Sequence, residues 1–121
     1  DIDDKNYFIK MSGNATFKVA VKRMSNVILE ALEYNDLKID DVNLLIPHQA
    51  NQRIISAVAE KLKFPEEKII MTIQKYGNTS AASIPIGIGD ARSTGKINPG
   101  DISVLGVVGA GLTWGSAVIK W

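Results

Sequence analysis

One imidazole and one carboxamide occupy matched positions in this sequence. His48 lies in Ile46-Pro47-His48-Gln49-Ala50-Asn51, and Asn78 in Tyr76-Gly77-Asn78-Thr79-Ser80-Ala81-Ala82-Ser83. Each follows a strand-like apolar run and precedes a helix-like one. In open α/β sheets, strand carboxyl ends and helix amino ends converge on a crevice supplied with backbone N–H groups, and ligands bind there. A neutral imidazole and a carboxamide aimed into it could hold a developing oxyanion between two N–H donors. The run Gly109-Ala110-Gly111 adds a tight turn whose small residues let the backbone approach a ligand closely.

Composition narrows the reaction class. The 121 residues are 45% hydrophobic with net charge +1, which fits one soluble globular domain or a large part of one. No run approaches the roughly 20 apolar residues of a membrane span, and the charged start Asp1-Ile2-Asp3-Asp4-Lys5 is not a signal peptide. A cytosolic location with no membrane partner is expected. The absence of cysteine excludes disulfides, thiolate metal sites and a cysteine nucleophile within the chain. One histidine without clustered carboxylates makes no metal site. Lys18, Lys22, Arg23, Arg53 and Lys61 alternate with Glu30, Glu33 and Glu60, so no nucleic-acid footprint is present.

The elements that must position these groups follow from periodicity. Phe17, Ala20, Val21, Met24, Val27, Ile28, Ala31 and Leu32 form the stripe of an amphipathic helix over 14–34, capped by Asn14. Val42 to Ile46 reads as a strand closed by Pro47, and Ile54, Ile55, Val58, Ala59 and Leu62 mark a second helix from Asn51. Ile69 to Ile73 reads as a second strand. From Asn78 a third helix follows, apolar or small on nearly every face, the pattern of a helix buried on all sides. Asp101 to Val108 and Thr113 to Trp121 are two further strands, antiparallel across the glycine turn. The alternation predicts a mixed, mostly parallel sheet with helices packed on it. Because the series opens on a helix, a leading strand is missing or is supplied by Tyr7 to Met11.

Pro47-His48-Gln49-Ala50-Asn51, Gly77-Asn78-Thr79-Ser80-Ala81-Ala82-Ser83 and Gly109-Ala110-Gly111-Leu112-Thr113-Trp114-Gly115-Ser116 together resemble three signatures of the β-ketoacyl-acyl carrier protein synthase III family. The resemblance runs from about Met11 to Trp121. It implies the carboxyl-terminal half of a thiolase-like αβαβα fold, spanning residues 1–121, without the first strand and without the half that bears the catalytic cysteine. It implies a decarboxylative Claisen condensation that begins type II fatty acid synthesis, with an acyl-CoA primer and malonyl-acyl carrier protein as substrates and no permanently bound cofactor. The amino-terminal half of the enzyme and a second copy, forming a homodimer, are the implied protein partners.

By the same resemblance, His48 and Asn78 are two members of a Cys-His-Asn triad, and the Ala110 N–H belongs to an oxyanion hole for acyl transfer. Met11, Gly13, Asn14, Phe17, Ala50, Asn51 and Ile54 would line the pantetheine tunnel. Lys18, Arg53 and Lys61 would dock the acidic carrier protein. Val108 and Leu112 would shape the acyl pocket. The chemistry requires a neutral His48 with one proton on the substrate side, so another group must fix its tautomer; the sequence does not identify it.

Simpler roles compete with these. Asn78 and Asn14 also suit helix caps, the glycine turn suits an ordinary hairpin, and Lys18, Arg53 and Lys61 suit a solvated face. Trp114 and Trp121 read as packing residues. A related polyketide or alkylquinolone-type condensing enzyme is the enzymatic alternative. A non-catalytic fragment or dimerisation module is the other. Alone, the chain is expected to be inactive and to self-associate through its apolar third helix.

Overall fold

The computed structural model of the protein describes residues 12–121. Met11 and the proposed substitute strand Tyr7 to Met11 lie outside the described residues. The elements are α1 (Gly13–Tyr34), β1 (Leu44–Pro47), α2 (Gln52–Leu62), α3 (Ile73–Tyr76), α4 (Ser83–Ser93), β2 (Ile102–Gly109) and β3 (Thr113–Lys120). They form a mixed sheet in the order β1-β2-β3, with β1 parallel to β2 and β2 antiparallel to β3.

Alternation along β1 assigns its residues to two layers. Leu45 joins the main core with Met24, Ile28 and Leu32 of α1 and Ile55 and Val58 of α2, while Leu44 and Ile46 pack with Ile70 and Ala91 beside α4. Gly106 of β2 lets α1 lie close against the sheet. A Cβ there would stand 2.7 Å from Ile28 Cδ1, too near for any side chain.

Three expectations change. α1 begins at Gly13 with Ser12 in the capping position and no side-chain cap bond, so Asn14 lies inside the first turn rather than capping it. The expected strand Ile69–Ile73 reduces to a single parallel bridge, Leu45 to Ile69, in which Ile70 N–H donates to Leu45 O at 2.9 Å. Beyond it, the Thr72 and Ile73 N–H groups donate to Gln49 Oε1 at 2.9 and 3.0 Å, and the chain turns into α3. A side-chain acceptor has taken the place of a strand neighbour.

The third change concerns the helix expected from Asn78. It starts at Ser83, after a 3-10 turn over Ser80–Ala82. Only Ser83, Gly87 and Ala91, one face at four-residue spacing, are buried. Ala81, Ala82, Pro85 and Gly89 are exposed, so the second face is uncovered in this chain. Among the described residues, no helix is long and apolar enough to cross a membrane.

Candidate active site

Pro47 ends β1, and the His48 N–H adds one more rung by donating to Gly106 O at 2.8 Å. Asn51 then caps α2, its Oδ1 accepting from Ile54 N–H at 3.0 Å. His48 is thus held in a short turn between a paired strand end and a capped helix start. Its half-buried ring places Nδ1 2.7 Å from Ser83 Oγ, at the first residue of α4. Burial holds the His48 pKa below its ordinary 6.5, so the ring is neutral at pH 7. With Nδ1 engaged, Nε2 is the nitrogen left for a ligand.

Asn78 arrives from the other side. Gly77 before it has φ +69° and ψ −159°, a conformation open to glycine and strained for a side chain. Asn78 Oδ1 accepts from Ser80 N–H at 3.0 Å, forming an Asx turn. A backbone N–H can only donate, so this bond fixes the oxygen end and leaves Nδ2 as a donor. Among the described residues, Nδ2 has no acceptor.

His48, Asn78 and Ala110 line a single cavity of about 530 Å³, with Ser83, Val108 and Trp114 also on its wall. Three segments far apart in the chain therefore share one cavity. Ser83 is the missing partner of the imidazole. It closes the second motif, but nothing in the sequence set it apart, since the helix start at Ser83 appears only in the structure. Trp114, expected to be a packing residue, is 41% exposed and borders the cavity, with the Arg23 guanidinium 4.3 Å from its ring centroid. Val107 lines the cavity, whereas Leu112 does not.

The second set of expected residues is only partly assembled. A shallower groove of about 390 Å³ brings together Phe17, Arg53 and Glu60, with Arg53 5.6 Å over the Phe17 ring. Gly13, Asn14 and Asn51 are exposed and Ala50 is half-buried. Ile54 is 6% exposed and belongs to the main core. Lys18 and Lys61 are exposed but do not border the groove. Among the described residues, no three histidine, cysteine or carboxylate side chains gather as metal ligands.

Comparison with known proteins identifies the family. The family described as 3-oxoacyl-[acyl-carrier-protein (ACP)] synthase III C terminal matches residues 32–121. The β-ketoacyl-[acyl-carrier-protein] synthase III of Aquifex aeolicus is 51% identical over 114 residues, covering 94% of this chain and 37% of that protein. Its Campylobacter jejuni counterpart is 50% identical over 113 residues, covering 93% and 35%. The crystal structure of the Aquifex enzyme superimposes with a TM-score of 0.93 at 50% identity, over 98% of this chain and 38% of that one. The chain spans little more than a third of the length of these relatives.

Proposed function

Since the chain belongs to the 3-oxoacyl-[acyl-carrier-protein] synthase III family, matching the carboxyl-terminal part of its members, we propose that it supplies the enolate-binding side of a decarboxylative Claisen condensation. The observation that carries this reading is the convergence of His48, Asn78 and Ala110 on one cavity, with the imidazole kept neutral beside Ser83.

In the proposed reaction, an acyl group from an acyl-CoA primer is first carried as a thioester on a cysteine outside this chain. Malonyl-acyl carrier protein then loses carbon dioxide. The broken C–C bond leaves its electron pair on the malonyl thioester as an enolate, whose oxygen accepts from His48 Nε2–H and Asn78 Nδ2–H. The enolate carbon attacks the acyl thioester carbonyl, a new C–C bond forms, and the cysteine thiolate departs. These donors stabilise charge that develops only along the reaction, so they act on the barrier rather than on binding.

For the enolate role the Ser83 hydroxyl, 2.7 Å from Nδ1, must be the donor, so that the ring's proton sits on Nε2. The Ala110 N–H serves the earlier acyl transfer, pairing with a donor from the cysteine-bearing half. The groove at Phe17 and Arg53 takes the phosphopantetheine arm, with the exposed Gly13, Asn14 and Asn51 on the same approach. Lys18, Arg53 and Lys61 attract the carrier protein. The complete enzyme acts in the cytoplasm as a homodimer at the start of fatty acid synthesis, and this chain alone forms no acyl-enzyme.

The test separates the two stages in the full-length protein that carries this sequence. His48→Ala and Asn78→Ala should lower condensation by about 100- to 1,000-fold, while labelled acetyl-CoA still acylates the enzyme. Condensation at the parental rate in either variant would refute the assignment.

A further inference from the structure

The brace between the two donors is a side chain that the mechanism does not otherwise use. Gln49 is 1% exposed, and every hydrogen-bonding capacity of its carboxamide is satisfied. Nε2 donates to Pro47 O and to Ile70 O, each at 3.0 Å. Oε1 accepts from Thr72 N–H at 2.9 Å and from Ile73 N–H at 3.0 Å.

The partners stand on two different segments. Pro47 is the residue before His48, while Thr72 and Ile73 open α3, which ends at Tyr76 and delivers Gly77 and Asn78. Backbone pairing between the segments stops at Leu45 and Ile70. Further toward the cavity, the Gln49 carboxamide continues the connection.

We propose that Gln49 is a positioning residue that sets the separation of His48 and Asn78, an inference that rests on reading those two as the enolate's donors. Glutamine suits the position chemically. Glutamate would turn acceptor oxygens toward the carbonyls of Pro47 and Ile70, and methionine would fill the space without donors or a strong acceptor. Loss of the brace lets the Asn78 turn shift against the His48 junction. A displacement of about 1 Å at a reacting centre can cost about 100-fold in rate. The acyl-transfer step uses Ala110 on the β2–β3 hairpin, which Gln49 does not touch.

Gln49→Met and Gln49→Glu in the full-length protein provide the test. Condensation kcat should fall by about 10- to 100-fold, while acylation by labelled acetyl-CoA and its KM stay within about twofold of the parent. Equal losses in both stages, or no loss in a folded variant, would overturn the proposal. Should neither variant fold, amide hydrogen exchange of the parent protein decides. The Thr72 and Ile73 N–H groups should be strongly protected, and exchange at the rate of free peptide would overturn the brace. A parallel His48→Ala variant separates the two levels: if it condenses normally, the donor reading fails and takes this proposal with it. Impaired His48→Ala beside unimpaired Gln49→Met removes the role of Gln49 alone.

Discussion

On one face of the sheet, α1 and α2 enclose Met24, Ile28, Leu45, Ile55 and Val58, all shut off from solvent. On the other, a smaller cluster forms where Ala91, Ile84 and Ile88 of α4 meet Leu44, Ile46 and Ile70, and the cavity with His48 and Asn78 opens beside it. A close-packed interior satisfies its atoms fully and leaves none free to meet a ligand. Among the described residues, the sparse face leaves His48 Nε2 and Asn78 Nδ2 uncommitted while the other ends of both groups are anchored by Ser83 and by the Ser80 backbone. The dense packing thus lies on one side of the three strands and the proposed site on the other.

That division can be broken by substitution. The largest effect is expected on the dense face, where Ile28→Ala should cost about 2–5 kcal/mol in denaturant unfolding. It should leave the ring nitrogen shifts of the chain's only histidine unchanged. His48→Ala should do the reverse, lowering condensation as above while changing stability by less than about 1 kcal/mol. A stability loss matching that of Ile28→Ala would mean that the imidazole is a core residue.

Smaller effects sharpen the contrast. Gly106→Ala forces a methyl group against Ile28 and should destabilise by about 1–3 kcal/mol, readable in the same unfolding curves. Asn51→Ala removes the cap of α2 and should cost about 1 kcal/mol, with the loss of protection confined to the first turn in hydrogen exchange. The pH dependence should be weakest. The folded His48 pKa lies below 6.5, so above that pH the ring is neutral in both states and its full contribution is present. As pH falls from 6.5 through the folded value, the unfolded chain takes up its proton first and stability is lost. Below the folded value no further change occurs. Melting temperatures of the parent and His48→Gln should therefore diverge only across that window, and a His48 contribution that grows on acidification would contradict the sign.

Much of this was legible in the chain. The stripe from Phe17 to Leu32 and that from Ile54 to Leu62 gave α1 and α2 within a residue or two, because core burial imposes helical spacing directly on sequence. The glycine turn gave the hairpin. The apolar run Ile69 to Ile73 misled, since hydrophobicity records burial but not which acceptor the backbone N–H groups find, and here it is Gln49. His48, Asn78 and Ala110 were marked by local motifs, and the structure places them around one cavity. Ser83 lay within a quoted motif, yet its role depends on a contact 35 residues away in sequence.

Residue types and spacing alone determined the amphipathic helices, the antiparallel ending and the set of polar groups able to stabilise an oxyanion, because these are properties of neighbours along the chain. Only the tertiary structure decided that the imidazole pairs with Ser83, that one buried carboxamide spans the His48 and Asn78 segments, and that α4 keeps an uncovered face. Those outcomes depend on which distant groups share a volume from which water is excluded, and hydrogen-bond pairing inside that volume is settled by geometry rather than by order in the sequence.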